Sequence, residues 1–597
     1  METLLIHHNN TAYISESFFE KDYLFQASST KDVDSYITEE FINEGLLVDL
    51  NEAELVFIKV SLSDNYLEYL GIRLAYHLRL DNRVTNKRFA IVFLGEESLS
   101  FLCKTYEGYP ILLAEGVYKI RDNKEEITLF LEKGSYQHFI EKENFAKFLD
   151  KIWLRPPANF ETNHSIANEW GICRLSDAIK TDSNENYKKL KDSVSNLTFK
   201  NSLYFKYAEA KIDSREGFNS KNKIPINNLG FDDLKVALID DEHLKGWYSI
   251  YQLMLDKSKA TSFPFNEFSR EHDKLSLIKN IKEWIEFEAI AKYDCNTFIL
   301  DLRLHEEDFN KLSNDKEELS GISIYKFIKS LNPGYQIVFV TASNKIWNLG
   351  QLEGFDTRNY IVKENPEFSL TRVNTKIFFT QFQNSLTRCK ENLSLIEAYD
   401  IKKRIRQKCF LTSFVRNADF LNLASNRNGL LDKIYICLER GISDQFDLNQ
   451  ALLYCFHFLE KYCSLNEVIE SDRKNYIDVK NYNGEITKVV KSSGDLLKIN
   501  RGRFSFQNNL APHIISIDKL ETRGVGSLHQ PVNSATLYSA VLYFRENCDK
   551  SQVDRVLELL FVRNNLSAHH TGDIKSGYVL NPDDIMFMLR LFDKIQF

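Results

Sequence analysis

Five polar residues stand where apolar runs end. Asp240 and Asp241 close KVALIDDE (235–242), Asp301 closes the apolar half of TFILDLRL (297–304), Thr341 follows QIVFV (336–340), and Lys363 follows RNYIV (358–362). Three carboxylates gathered at one strand edge repel one another unless a hard cation lies between them, and Mg²⁺ is held by oxygen ligands of this kind. A carboxylate in such a place can attack a phosphoryl donor, provided that a metal and an ammonium such as Lys363 neutralise the equatorial oxygens. A second constellation lies in LLFVRNNLSAHHTG (559–572), where Arg563 and Asn564 precede His569 and His570. A guanidinium and an imidazole suffice in principle to cleave RNA: the base deprotonates a ribose 2′-hydroxyl, and the cation stabilises the charge that develops on phosphorus. That route needs no metal. On a continuous helix His570 returns to within about 20° of the Arg563 face, whereas His569 lies about 120° away.

The elements that must position these groups follow from periodicity. The runs 235–242, 297–304, 336–343 and 358–364 read as buried parallel strands, and GISIYKFIKSL (321–331) carries apolar residues at helical spacing before Pro333-Gly334 turns the chain. Alternating strand and helix implies a doubly wound parallel sheet, with its chemistry at the carboxyl ends of the strands. The same order occurs earlier: VFIKVSL (56–62) parallels FILDLRL, GIRLAYHLRL (71–80) parallels GISIYKFIKS, and AIVFLGEES (90–98) parallels QIVFVTASN. This reads as a diverged duplication without the chemistry, since Lys59 stands for Asp301 and Gly95 for Thr341. Beyond about residue 380 helical periodicity takes over, interrupted between about 472 and 530 by a stretch whose Asn483-Gly484 pair signals a β-hairpin. The expected organisation is multidomain α/β plus α. It comprises a degenerate α/β domain (1–139), a helical or linker region (140–228), a complete α/β domain (229–388), and a helical domain (389–597) with a small β insertion.

Length and composition bound the reading. A chain of 597 residues with 43% hydrophobic and 27% charged residues matches a globular protein of three or four domains, neither fibrous nor disordered. The net charge of −8 argues against a protein that coats nucleic acid, and no DNA partner is expected. Residues 391–597 nevertheless hold 27 Lys+Arg against 25 Asp+Glu, leaving 49 against 59 for the rest, so the last third is the better candidate to meet a polyanion. No apolar window is long enough to span a bilayer and no secretory leader opens the chain, so a cytoplasmic location without membrane contact is expected. The nine cysteines are dispersed and never spaced C-x-x-C, which suggests reduced thiols rather than disulfides or a zinc site.

Residues 232–385 resemble a response-regulator receiver domain, with the positions above matching in order. The resemblance implies that Asp301 accepts a phosphoryl group from a histidine kinase or a small phosphodonor, that Asp240 and Asp241 hold Mg²⁺ together with Asp301, that Thr341 and Lys363 contact the phosphoryl group, and that Tyr360 is an aromatic switch. Two departures stand out: Glu364 replaces the usual proline after the lysine, and an acidic segment (305–319) lengthens the loop after Asp301. Residues 391–597 resemble HEPN-domain ribonucleases through the Arg563–His569 or Arg563–His570 spacing. The family pattern, with a small residue before the histidine, favours His569. It implies a homodimer that cleaves RNA without a cofactor. The expected function is thus a phosphorylation-controlled ribonuclease of the bacterial conflict or antiphage type. The rival is a response regulator whose helical domain only binds RNA or a protein partner, because Arg563 and the histidines suit binding as well as cleavage.

Overall fold

A computed structural model describes residues 2–596 apart from 9–17, 28–31, 139–141, 158–162, 181–184, 217–223, 226–229, 256–259, 268–272, 311–318, 343–356, 365–372, 416–428, 466–468, 471–476, 492–497, 501–502, 506–513, 517–536, 569–578 and the single positions 196, 443, 481, 485 and 540. The chain forms two compact units: Met1–Ser323 with Val338–Leu386, and Ile324–Ile337 with Thr387–Phe597.

The first unit contains two sheets of the same topology. In the first sheet β1 (Thr3–His7), β2 (Lys21–Leu24), β3 (Leu55–Lys59), β4 (Ala90–Leu94) and β5 (Val117–Ile120) run parallel in the order β2-β1-β3-β4-β5. Side chains alternate between faces along a strand. Leu4, Ile6, Val56, Ile58, Ile91 and Phe93 enter one buried cluster, while Leu5, Leu55, Phe57, Ala90, Val92 and Leu94 enter another. Both faces are therefore covered, which is why these strands read as unbroken apolar runs. Two short strands, β6 (Ile179–Lys180) and β7 (Ile224–Pro225), pair in the segment between the sheets. The second sheet comprises β8 (Val236–Ile239), β9 (Ala260–Ser262), β10 (Thr297–Leu300), β11 (Gln336–Thr341) and β12 (Tyr360–Val362) in the order β9-β8-β10-β11-β12. Position for position, this is the order of the first sheet.

The segment expected to be helical or linker contains three helices, and most of its polar end, 217–223 and 226–229, lies outside the described residues. Asn163–Ala178, Glu185–Ser195 and Leu203–Glu216 lie between the sheets in sequence, and residues 166–176 of the first helix are buried without exception. No stripe marks such a helix, because its polar residues Asn168, Glu169 and Arg174 are buried along with Ile166, Trp170 and Ile172.

The second unit is mainly helical, as expected for residues beyond 380. Ser394–Val415, Leu430–Gly441, Gln445–Leu465, Lys550–Ala568 and Pro582–Lys594 enclose one apolar core that includes Ile405, Leu438, Phe456, Leu459, Leu560, Leu589 and Phe592. The last helix opens with a capping box between Asn581 and Asp584, with Pro582 in its first turn. The β insertion is present: β13 (Ile469–Glu470), β14 (Ile477–Lys480), β15 (Ile486–Lys491) and β18 (Ile514–Ser516) form an antiparallel sheet, and β16 (Lys498–Asn500) pairs with β17 (Arg503–Ser505). Gly484 takes φ 85° in the turn between β14 and β15, the left-handed conformation that an Asn-Gly turn supplies.

The two sheets share a close backbone approach at one glycine each. A Cβ on Gly71 would lie 1.9 Å from the Lys59 carbonyl oxygen, and one on Gly321 would lie 2.4 Å from that of Asp301. Gly→Ala in a helix ordinarily gains up to about 1 kcal/mol. Here the added carbon meets backbone that cannot yield cheaply, so Gly71→Ala and Gly321→Ala should each destabilise by roughly 2–4 kcal/mol, read as a lower urea midpoint.

Candidate functional site

The carboxyl ends of β8, β10, β11 and β12 meet at one edge of the second sheet. Asp240 and Asp241 follow β8, Asp301 follows β10, Thr341 ends β11, and Lys363 follows β12. Parallel pairing aligns these ends: Leu300 lies opposite Ile239, Thr341 lies opposite Val362, and the Lys363 amide donates to the Thr341 carbonyl at 2.7 Å. The sequence-predicted residues are thus brought together.

Lys363 is the centre of the arrangement. Its ammonium is 0% exposed and donates to Asp240 Oδ2 at 2.9 Å, to Asp301 Oδ2 at 2.9 Å and to Asn168 Oδ1 at 2.6 Å. The ring of Trp247 lies 4.8 Å away, adding a cation–π contact. Burial works to lower the ammonium's pKa, but the charges of Asp240 and Asp301 and their hydrogen bonds outweigh it and hold the group above the ordinary lysine value. Asp301 is also buried, and its Oδ1 accepts the amides of Leu302 (2.5 Å) and Arg303 (3.3 Å). Asp240 Oδ1 accepts the Glu242 amide at 2.9 Å.

Asp241 differs from its neighbours. Its Oδ1 is shielded from solvent and, among the described residues, has no hydrogen-bond partner. Burial pushes its pKa well up, and the charges of Asp240 and Asp301 push it further. Burial likewise raises Asp240 to about 6 against the opposing pull of Lys363. One oxygen from each of Asp240, Asp241 and Asp301 lies within 4.8 Å of the others, a spacing that fits a single divalent cation. The orphaned Asp241 oxygen and an all-oxygen donor set suit Mg²⁺.

Tyr360 opens β12, is buried, and has its ring 6.4 Å from that of Phe339. Glu364, which departs from the receiver pattern, is buried as well; it accepts the Thr375 hydroxyl at 2.7 Å and pairs with Arg174 at 3.6 Å. In the lengthened loop after Asp301, Asp308 is a structural hub, accepting the amides of Leu304, His305 and Ser320 and the Lys274 ammonium at 2.6 Å. Sequence reasoning missed Asn168, Trp247 and Tyr251. Only Trp247 had a local signal, a lone tryptophan opening the helix just beyond the acid pair. The buried Tyr251 hydroxyl has no hydrogen-bond partner, and burial together with the charges of Asp240 and Asp301 raises its pKa.

In the first sheet the equivalent positions follow from strand register together with the parallel between AIVFLGEES (90–98) and QIVFVTASN (336–344). His7 and His8 stand where Asp240 and Asp241 stand, Lys59 where Asp301 stands, and Asp122 where Lys363 stands. Lys59 pairs with Asp122 at 3.2 Å. The ion pair between the third and fifth strands is therefore kept with its polarity reversed. In this arrangement an ammonium occupies the position that the Asp301 carboxylate holds in the second sheet.

In the second unit Arg563 lies on the helix Lys550–Ala568. It is partly buried, Nη1 donates to Asn564 Oδ1 at 3.0 Å, and Nε has no hydrogen-bond partner. His569 and His570 lie outside the described residues. Among the described residues, no helix is long and apolar enough to cross a membrane.

A family model described as Inactive Receiver domain matches residues 8–120. The first sheet thus has a receiver-like fold. No curated protein and no solved structure matches the chain.

The acid edge makes a testable demand on stability. The folded-state pKa values of Asp240 and Asp241 are raised above their unfolded values, so the contribution of these groups is most favourable below about pH 4 and is lost as pH rises through about 6 and beyond. In EDTA at pH 8, Asp241→Asn should therefore be more stable than wild type by about 1–3 kcal/mol, a gap that closes towards pH 4. Saturating Mg²⁺ should raise the melting temperature of wild type and leave that of Asp241→Asn nearly unchanged.

Proposed function

We propose that the chain is a signalling protein in which residues 229–388 form a receiver that accepts a phosphoryl group on Asp301, and residues 389–597 form a HEPN-like output that cleaves RNA. The observation that carries the receiver reading is the Lys363 ammonium held between Asp240 and Asp301, beside an Asp241 oxygen with no partner.

Asp301 Oδ2 is the nucleophile. It forms a bond to phosphorus as the bond to the donor breaks, and the donor departs as the imidazole of a histidine kinase or the carboxylate of a small acyl phosphate. Asp240, Asp241 and Asp301 would hold Mg²⁺, which supplies charge neutralisation for the transferring group when bound. Lys363 contacts the incoming oxygens with the same ammonium that pairs Asp301 in the unmodified state. Thr341, at the end of the adjacent strand, supplies a hydroxyl, and Tyr360 follows it as the switch. The first sheet takes no part in the chemistry and serves as a scaffold.

For the output, Arg563 binds the scissile phosphate, and His569 or His570 takes the proton from the 2′-hydroxyl, leaving a 2′,3′-cyclic phosphate. The near-neutral charge of this third of the chain is compatible with an RNA partner, and a homodimer would bring two copies of the motif to one cleft. Control of such an RNase by a signalling domain is the arrangement expected of a conflict or antiphage effector.

Incubation with acetyl phosphate and Mg²⁺ should label wild type at one site, and Asp301→Ala or EDTA should abolish the label; continued labelling of Asp301→Ala would overturn the assignment. With total RNA, Arg563→Ala and one of His569→Ala or His570→Ala should each lower cleavage by about 10²-fold or more, in the presence or absence of EDTA. RNA binding without cleavage by wild type, in either phosphorylation state, would replace the nuclease with a non-enzymatic regulator.

A further inference from the structure

The helix Asn163–Ala178 belongs to neither sheet, yet it is seated on the acid edge. Asn168 Oδ1 accepts from Lys363 Nζ, and the Asn168 carbonyl accepts from the Trp247 indole at 3.1 Å. One turn on, Arg174 pairs with Glu364, the residue directly after Lys363, and Glu169 pairs with Lys245 at 2.9 Å, just beyond the acid pair. Gly171 lets the helix approach closely, for a Cβ there would lie 3.2 Å and 3.3 Å from two Trp247 ring atoms and 3.5 Å from the Glu364 amide nitrogen. Four residues of this one helix therefore meet the first and fifth strand ends of the second sheet.

The stoichiometry of Lys363 makes this contact consequential. An ammonium has three protons to donate. Its acceptors here are Asp240, Asp301 and Asn168, so a phosphoryl group on Asp301 Oδ2, which brings three oxygens in place of one, competes with Asn168 for the same ammonium. Asp240 and Asp301 come from the sheet itself, whereas Asn168 comes from a separate helix. Asp301 is only 1% exposed, so a donor reaches Oδ2 only when a covering element such as this helix moves. The seat is also imperfectly satisfied, since Glu169 Oε2 is buried without a hydrogen-bond partner among the described residues, and Arg174 Nε faces Glu364 at 3.6 Å, beyond hydrogen-bond distance. A contact that leaves buried polar atoms unpaired is more readily given up than an apolar one.

The helices that follow are fastened to the first sheet's side of the unit. Lys206 donates to Asp81 at 2.8 Å and contacts His77 at 3.1 Å, the Leu203 amide donates to Asp34 at 3.1 Å, and Asn201 donates to Glu39 at 2.7 Å. Among these, Asp34, His77 and Asp81 are buried.

We infer that the helix Asn163–Ala178 is a built-in stopper of the acid site, held in position by helices anchored to the degenerate receiver domain, and that its seated state and a phosphoryl group on Asp301 exclude one another. This inference rests on the reading of Asp301 as acceptor. Gly171→Leu adds bulk against Trp247 and should unseat the helix without touching the acids, and Asn168→Ala removes the third acceptor of Lys363 without adding bulk.

With full-length protein, acetyl phosphate and Mg²⁺, Gly171→Leu should be labelled at least tenfold faster than wild type, and Asn168→Ala should lie between them. In wild type, beryllofluoride with Mg²⁺ should speed hydrogen exchange at residues 166–176. Equal labelling rates in a Gly171→Leu protein whose exchange shows the helix unseated would overturn the stopper while leaving the acceptor intact. Should Gly171→Leu fail to fold, unchanged exchange of wild type with beryllofluoride and an unchanged labelling rate in Asn168→Ala would overturn it equally. If neither wild type nor the variants take label, the acceptor reading falls, and Mg²⁺ titration decides the stopper by itself: tighter binding by Gly171→Leu or Asn168→Ala supports it, and equal affinity overturns it.

Discussion

A fully buried ammonium is the constraint on which the first unit's chemistry depends. An unpaired charge in a protein interior is costly, and Lys363 is tolerated only because two carboxylates and one amide oxygen accept its protons while an indole ring covers it. Each partner comes from a different part of the chain. Asp240 and Asp301 are delivered by two adjacent parallel strands, Trp247 by the helix that follows the first of them, and Asn168 by a helix outside the sheet. Removing any one leaves the others with a charge to satisfy. The acid edge, the helix above it and the fifth strand are in this sense one structure.

The first sheet, with the same strand order, solves the same electrostatic problem with the signs exchanged. Lys59 occupies the central strand end and Asp122 the outer one, and the two still meet. What was retained is the pairing of opposite charges across the sheet edge and the close approach of a helix glycine to the central strand, at Gly71 as at Gly321. The carboxylate of Asp301 and the acid pair have no counterpart there, since Lys59, His7 and His8 occupy those positions. Fold and chemistry have separated here: the apolar alternation in β1, β3 and β4 is enough for the architecture, while the reaction needs particular residues at strand ends.

The helical unit is held by different means. Its core is apolar and continuous; ion pairs such as Arg590 with Glu397 and Arg404 with Asp593 lie at its periphery, while the side chains of Arg545 with Glu546 and Lys402 with Asp432 are buried. Arg563 lies on a helix that contributes Val556, Leu559 and Leu560 to that core, so a guanidinium there has a rigid mount. A site on a packed helix can hold a phosphate more accurately than one on a loop.

Apart from β1, β2, β5, β9 and the spatial order of the strands, which only the fold supplied, the sequence by itself determined the parallel strands of both sheets, the helical last third and the gathering of Asp240, Asp241, Asp301, Thr341 and Lys363. These were legible because strands buried on both faces read as apolar runs, and because parallel strands bring their carboxyl ends to one edge whatever the lengths between them. The Asn483-Gly484 turn was legible for a local reason, the backbone conformation it permits. Tertiary structure alone decided the rest. Asn168 meets Lys363 from 195 residues away, and nothing in IANEWGICRLSD marks it, since a helix buried all round has no apolar stripe and its polar residues gain their meaning only from partners elsewhere. Glu364 read as a departure from a pattern until Arg174 was found beside it. The reversed pair was equally hidden: Lys59 alone reads as a lost acid, and only the register that sets Asp122 opposite shows that the charge was exchanged rather than discarded. Periodicity reports which face of an element is buried, whereas the pairing of buried charges is a property of the space between elements, and that space exists only in the folded chain.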